Sequence, residues 1–333
     1  MNRELNNPPQ AVLAAEMEQV AQLIREKTSF LIVGHLRPDG DCLGSCLGLM
    51  QALISMGKQV RFYTLGPVPG YFKYLPDFNR IETTFPTDAF DAVLCVDTSD
   101  EERVHPGFKA SGTVAVIDHH ISNTRFGSIN WIDSQASAAA EMVYLLIEAL
   151  GVTVTAPIAT ALYTGIMTDT GGFRFGNTRE RTFRVASALV SRGADPARIA
   201  EWVWDSRSPA TIQLAGMVMS SLKYEFGGRL VWNEISQQMI RSVGDDQAEP
   251  EGLSSEMRSI RGVDVAILFY ETTDGLCRIG FRSRGENNVS ELAALMGGGG
   301  HKNASGAFIA EPYAQVRQRV LDVAREYLGK MWE

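Results

Sequence analysis

The chain has 333 residues and a formal net charge of −8, from 31 basic and 39 acidic side chains. At roughly 100–200 residues per domain, this length predicts two domains. Hydrophobic residues make up 45% of the chain, and no apolar run approaches the ~20 residues that span a bilayer, so the sequence predicts neither a membrane-spanning nor a disordered protein. The acidic balance argues against binding to long duplex nucleic acid, so an anionic substrate must be attracted locally, by a metal ion or a small basic cluster.

The amino-terminal residues and the cysteines bear on the compartment. The first twenty residues contain several carboxylates and no apolar core segment, unlike a secretory signal, so we expect a cytoplasmic location. The four cysteines lack the CxxC spacing of a zinc site, and three lie in apolar runs. We expect them to be small buried hydrophobic residues rather than disulfide partners or zinc ligands; they are Cys42, Cys46, Cys95 and Cys277.

Along the first 192 residues, short β-branched runs alternate with helical patterns, which is typical of parallel βαβ units. The predicted strands cover residues 30–33, 60–63, 92–96 and 114–117, and the predicted helices cover about 42–56, 137–150, 156–168 and 179–192. This pattern predicts an α/β domain with a mainly parallel sheet flanked by helices. Such open sheets bind ligands at the carboxyl ends of their strands, so the chemistry is expected in the turns that follow.

The pattern changes after residue 192. Residues 193–222 predict a connector of two helices, capped at Asp195-Pro196 and Ser208-Pro209. Residues 223–333 predict a smaller α+β domain with a strand at 230–233, a helix, hairpin strands at 263–270 and 276–282, a glycine cluster and a terminal helix. The predicted organisation is therefore a domain over 1–192, a helical connector over 193–222 and a second domain over 223–333.

Carboxylates and imidazoles recur where these elements end. The candidate ligands are His35, Asp39 and Asp41 after the first strand, Asp97 after the third, His119 after the fourth, and Asp169 at the end of a helix. Each segment alone has an ordinary interpretation, such as a helix cap, a turn-forming aspartate or a glycine stop. Together they supply only nitrogen and oxygen ligands, which suits Mn²⁺, Mg²⁺ or Co²⁺. Four aspartates balance the charge of two divalent cations, so two metals fit better than one.

The segments HLRPDGDCLGS, VDTSD, DHH and TDTGGFRF, followed by Asn177-Thr178, resemble in order and spacing the four motifs of the DHH phosphoesterases. The later segment GGGGHKNASG resembles the GGGH…ASG signature of their DHHA1 domain. The resemblance covers about residues 25–310 and is greatest to the stand-alone, NrnA-like branch of nanoRNases and pAp phosphatases. It implies a catalytic, metal-binding DHH domain followed by a substrate-binding DHHA1 domain.

The same resemblance implies a role for each candidate ligand. His35 and Asp39 would hold one ion, Asp41, His119 and Asp169 would hold the other, and Asp97 would bridge them. His120 would face the scissile phosphate, and Asp118 would orient the histidines. Mn²⁺ is the expected ion, with Mg²⁺ or Co²⁺ as alternatives.

The second domain is expected to supply positive charge. Strand alternation over residues 277–284 places Arg278, Arg282 and Arg284 on one face. Four consecutive glycines then predict a loop whose backbone can approach an anion closely. A solvated arginine face and a helix-cap histidine are the ordinary interpretations. The resemblance implies instead that this region binds the terminal phosphate and the adjoining nucleotide of the substrate. The expected contacts are Arg282, Arg284, Gly299, Gly300 and His301.

The function implied by the resemblance is two-metal hydrolysis of short oligoribonucleotides and linear dinucleotides, together with removal of the 3′-phosphate of pAp. A cleft between the domains would limit substrate length, so we expect short single-stranded RNA, pAp or a dinucleotide as partner, and neither long duplexes nor a membrane. A homodimer is left open. The alternatives are a cyclic-dinucleotide (c-di-AMP) phosphodiesterase, an inorganic pyrophosphatase and a non-catalytic single-strand-binding relative. The glycine cluster argues against the pyrophosphatase, and the full ligand set argues against the non-catalytic relative.

Overall fold

A computed structural model describes residues 10–109, 112–244 and 252–332. The chain separates into two compact units, Met1–Ser206 and Arg207–Glu333. The division falls inside the segment predicted as a connector, and the two helices predicted there are present, capped by Asp195 and Ser208. Within the described ranges, no helix is both long enough and apolar enough to cross a membrane.

The first unit is built on a six-stranded sheet in which every neighbouring pair is parallel. Its strands are β1 (Ser29–Val33), β2 (Gln59–Tyr63), β3 (Ile81–Glu82), β4 (Ala92–Val96), β5 (Thr113–Asp118) and β6 (Ile129–Ile132), in the spatial order β3-β2-β1-β4-β5-β6. The predicted parallel α/β sheet is confirmed. Strands β3 and β6 were not predicted, since they are short and lack a clear β-branched run.

Helices flank this sheet. They are α1 (Gln10–Glu26), α2 (Gly40–Ser55), α3 (Ala139–Ala149), α4 (Ala156–Asp169), α5 (Glu180–Ser191) and α6 (Pro196–Trp204). Phe30 and Ile32 of β1 face a large core that includes α2, α3 and α4, whereas Leu31 and Val33 face a smaller one. Because side chains alternate along a strand, the buried β1 serves both cores.

The order of the strands determines where a ligand can bind. From β1 the chain moves outward to β2 and β3, then crosses to β4 on the opposite side of β1. This reversal is a topological switch point, where open α/β sheets form a crevice at the carboxyl ends of their strands. The segments that follow β1, β4 and β5 are therefore neighbours in space.

The second unit has a six-stranded mixed sheet with helices. Its elements are α7 (Pro209–Ser220), β7 (Lys223–Glu225), β8 (Leu230–Ile235), α8 (Gln237–Ser242), α9 (Leu253–Ser259), β9 (Val265–Glu271), β10 (Cys277–Ser283), α10 (Val289–Ala294), β11 (Gly299–His301), β12 (Ala304–Ile309) and α11 (Tyr313–Trp332). The order is β11-β12-β10-β9-β8-β7, with only β8 and β9 parallel among the pairs of this sheet that the structure describes. This confirms the predicted smaller α+β domain.

The glycine cluster is not the loop that the sequence predicted, because part of it forms β11 and pairs with β12. A Cβ atom on Gly298 would lie 2.2 Å from the carbonyl oxygen of Gly306, and Gly300 has a φ of +139°. Glycine is therefore required at both positions by the hairpin itself. All four cysteines are buried and free of disulfides, as predicted.

Candidate active site

His35 and Asp39 come together in the turn from β1 into α2. Asp39 caps α2, and its Oδ1 accepts hydrogen bonds from the backbone N–H groups of Asp41 and Cys42 at 3.0 and 3.1 Å. The Nδ1 of His35 lies 2.9 Å from the carbonyl oxygen of Leu36, which can only accept, so Nδ1 carries the proton. The lone pair on Nε2 then points toward Asp39 Oδ1, 3.8 Å away, and Asp97 Oδ2, 3.6 Å away.

A second group gathers around His119, just beyond β5. Its Nε2 lies 3.6 Å from Asp41 Oδ2, 3.5 Å from Asp97 Oδ1 and 3.9 Å from Asp169 Oδ2. The Nδ1 of His119 is 3.3 Å from the carbonyl oxygen of Ala136, which directs Nε2 toward the carboxylates. The helices contribute because Asp41 lies in the first turn of α2 and Asp169 is the last residue of α4, and these two helices pack together.

Asp97 belongs to both groups, with Oδ2 facing His35 and Oδ1 facing His119. It has a φ of +58°, in the left-handed region that costs a non-glycine residue about 1–2 kcal/mol. Among the residues that the structure describes, Oδ1 is buried and has no hydrogen-bond partner. Separations of 3.5–3.9 Å are too long for hydrogen bonds, but they match two ligands of one ion at about 2.0–2.2 Å each. A divalent cation in each group fits these residues.

The electrostatics of the second group favour the same conclusion. Burial, together with the nearby Asp97 and Asp169 carboxylates, raises the pKa of Asp41 well above its usual value. Burial also raises the pKa of Asp169 to about 6. Burial alone would lower the pKa of His119, but the surrounding carboxylates raise it well above its usual value. A cation would relieve this crowding of like charges.

His120 and Asp118 form a separate pair beside Asp97. The Nδ1 of His120 donates to Asp118 Oδ1 at 2.7 Å, and Asn123 donates to Asp118 Oδ2 at 2.6 Å. Burial acts to raise the pKa of Asp118, but the charge and hydrogen bond of His120 hold it well below its usual value. The bond fixes the imidazole ring and leaves Nε2 as the nitrogen through which His120 can contact a substrate.

Several groups that contact the proposed ligands were not among the predicted site residues. The backbone N–H groups of Ala139 and Ala140, at the start of α3, donate to Asp41 at 2.6 and 2.9 Å. Asn177 donates to Asp169 Oδ2 at 3.1 Å. Backbone donors leave no mark in a sequence, whereas Asn177 was quoted with the last motif but was given no role. Cys42 is also close, with its sulfur within 4.8 Å of ligand atoms of His35 and Asp97.

In the second unit, β10 alternates buried and half-buried residues as predicted. Arg282 pairs across the sheet with Ala304, which pairs with His301, so all three lie in one row on one face. Arg284 donates to the carbonyl oxygen of Arg258 at 2.7 Å, at the carboxyl end of α9. A Cβ atom on Gly299 would meet nothing within 4 Å, and the φ of Gly299 is not positive, so the fold does not require glycine there.

The carboxylate–imidazole groups lie at the switch point of an α/β sheet, where such sheets bind their ligands, and can hold metal ions there, as the sites of metal-dependent hydrolases do. The family model described as "DHH family, N-terminal domain" matches residues 29–166, and the model described as "DHHA1 domain" matches residues 236–330.

Individual relatives match most of the chain. It is 34% identical to "Bifunctional oligoribonuclease and PAP phosphatase NrnA" of Thermus thermophilus, over 97% of this chain and 98% of that protein. It is 29% identical to the protein of the same name from Bacillus subtilis, over 83% and 87% of the two chains. A crystal structure of an exopolyphosphatase-related protein from Bacteroides fragilis matches with a TM-score of 0.84 at 26% identity, covering 95% and 96%. The chain therefore belongs to the NrnA-like branch of the DHH/DHHA1 phosphoesterases and is a metal-dependent phosphoesterase.

Proposed function

We propose that this phosphoesterase hydrolyses short oligoribonucleotides and linear dinucleotides, and removes the 3′-phosphate of pAp, with two divalent cations in its site. The names of two relatives state oligoribonuclease and PAP phosphatase activities, and both relatives match over most of their length. The observation that carries the two-cation part is the Asp97 carboxylate, with Oδ2 3.6 Å from His35 and Oδ1 3.5 Å from His119.

The proposed ligands fall into two sets joined by Asp97. His35 and Asp39 form one set, and Asp41, His119 and Asp169 form the other. When bound, the cations would lower the pKa of the attacking water and stabilise charge on the phosphoryl oxygens. Nitrogen and oxygen ligands favour Mn²⁺ here, with Mg²⁺ or Co²⁺ as alternatives.

His120 is proposed to contact the scissile phosphate. Its ring is held by the 2.7 Å bond from Nδ1 to Asp118, so Nε2 keeps one direction while substrate binds. Because the lowered pKa of Asp118 keeps that group ionised, its carboxylate accepts the Nδ1 proton of His120 in a charge-assisted hydrogen bond. With a proton also on Nε2, the ring can donate to a phosphoryl or leaving oxygen.

The second unit is proposed to bind the far phosphate and its nucleotide. Arg282 and His301 share one row of the sheet. Among the described residues, a Cβ atom on Gly299 would meet nothing within 4 Å, which leaves room for an anion beside the backbone there. The positive φ of Gly300 makes that glycine a structural requirement, whatever its contact with substrate. Arg284 is expected to contribute least, since its guanidinium already binds the end of α9.

The substrates are tested by measuring turnover of pAp, pApA, a 24-nucleotide RNA and c-di-AMP by the Mn²⁺-loaded protein. We expect pAp and pApA to be hydrolysed with the highest kcat/KM, and the long RNA and c-di-AMP to be hydrolysed with a much lower kcat/KM. Faster hydrolysis of c-di-AMP than of pApA would favour the cyclic-dinucleotide alternative and overturn the proposal. The cytoplasmic location stays a prediction.

A further inference from the structure

Residues 133–141, which we call the 133–141 segment, contact two of the proposed ligands of the second cation directly and the third through Asn177. The carbonyl oxygen of Ala136 meets Nδ1 of His119, and the N–H groups of Ala139 and Ala140 donate to Asp41. The carbonyl oxygen of Ser137 accepts from Asn177 at 2.8 Å, and Asn177 also donates to Asp169. The conformation of this one segment therefore orients His119, Asp41 and Asp169.

An ionic network of two buried carboxylates and one half-buried arginine joins the two ends of the 133–141 segment. Asp133 at one end is 2% exposed, and Glu141 at the other end is fully buried. Arg181, on α5, donates from Nε to Glu141 and from a terminal nitrogen to Asp133 at 2.7 Å. Ser137 and Thr182 donate their hydroxyls to the second oxygen of Glu141 at 2.6 and 3.0 Å. One guanidinium thus bridges two carboxylates eight residues apart, a geometry that suits the planar fork of arginine.

We propose that Arg181 is a positioning residue for the second cation. By bridging Asp133 and Glu141 it fixes the 133–141 segment, and through that segment it fixes His119, Asp41 and Asp169. The first group is supported differently, since His35 bonds to Leu36 and Asp39 caps α2. Loss of Arg181 should therefore weaken one of the two cations selectively. This inference rests on the proposed pair of cations.

The test is calorimetric titration of Mn²⁺ into the metal-free full chain, with Arg181→Lys compared to wild type. Lysine keeps the charge but cannot bridge two carboxylates with a rigid fork. We expect one equivalent of Mn²⁺ to bind about 10- to 100-fold more weakly, as is typical when a partner behind a metal ligand is changed, and the other to keep its Kd. The spin-coupled signal of a manganese pair in EPR should weaken in parallel. Arg184→Lys is the matched control, because Arg184 lies on the same helix, is exposed and pairs only loosely with Glu180 at 3.5 Å.

The outcomes separate this inference from the proposed function. Two unchanged equivalents in Arg181→Lys, or an equal loss of affinity at both, would overturn the positioning role and leave the proposed function standing. Fewer than two equivalents in wild type would instead overturn the two-cation proposal. If Arg181→Lys does not fold, Ser137→Ala replaces it, since that change removes only one hydroxyl from Glu141. It should give a smaller loss at the same single equivalent, and no loss would count against the inference.

Discussion

At the scale of single residues, Asp97 combines three unusual properties. Its backbone has a positive φ, its Oδ1 is buried without a hydrogen-bond partner among the described residues, and its carboxylate lies between the imidazoles of His35 and His119. Asp97→Ala removes a ligand from each proposed cation, whereas Asp39→Ala and Asp169→Ala each remove a ligand from only one. We therefore expect elemental analysis of dialysed protein to show the lowest manganese content in Asp97→Ala. Full and equal manganese occupancy in all three variants would contradict the bridging assignment.

Arg282 on β10 and Arg284, which directly follows that strand, allow a matched comparison. If Arg282 binds the far phosphate, Arg282→Ala removes a charge-assisted contact worth about 1.5–3 kcal/mol, or about 10- to 150-fold in kcat/KM for pAp. Hydrolysis of bis-p-nitrophenyl phosphate, which offers no far phosphate, should change little, and His301→Ala should behave in the same way. The control is Arg284→Ala, which removes hydrogen bonds at the end of α9. It should lower the melting temperature but change the ratio of kcat/KM for pAp to that for bis-p-nitrophenyl phosphate much less than Arg282→Ala does. Equal losses on both substrates for Arg282→Ala would place Arg282 outside the substrate site.

At the scale of elements, the close packing of α2 on α4 brings Asp41 and Asp169 together. A Cβ atom on Gly44 would lie 2.3 Å from the carbonyl oxygen of Ala161 and 2.9 Å from the nitrogen of Gly165, so the two backbones nearly touch. Gly44→Ala should push the helices apart and lower the free energy of unfolding by about 1–3 kcal/mol, as measured by urea denaturation.

The control for that change is Gly216→Ala. Gly216 lies inside α7, has no positive φ, and its Cβ atom would meet nothing within 4 Å. Alanine is the better helix former there and should raise the free energy of unfolding by up to about 1 kcal/mol. If both alanine variants shift stability in the same direction, close α2–α4 packing does not explain the glycine at position 44.

Predictability from sequence also differs by element. The central strands β1 and β4 were predictable because buried parallel strands are continuous apolar runs. The polar residues that follow these strands could be assigned to the same edge of the sheet, since the carboxyl ends of parallel strands lie together. Strand β11 was not, since its glycines have low β propensity and its pairing depends on β12, which the sequence pattern did not reveal. The support given to Asp41 by the start of α3 could not be predicted, because it depends on backbone groups 98 and 99 residues away.

At the scale of the whole molecule, an acidic chain must attract an acidic substrate. The formal charge is −8, and several carboxylates crowd around the site where a phosphate is proposed to react. Without cations, this site would repel phosphate; with two divalent cations bound, the charge of its four proposed aspartate ligands is balanced. We therefore expect removal of the metal to abolish substrate binding together with hydrolysis.

We propose that two divalent cations per chain are needed for phosphoester hydrolysis. The most direct test is to strip the protein with EDTA, remove the chelator, and follow pAp hydrolysis as Mn²⁺ is added back at protein concentrations above the Kd. We expect no turnover in the stripped protein and activity that saturates near two equivalents of Mn²⁺ per chain. Full activity in excess EDTA, or saturation at a single equivalent, would contradict it.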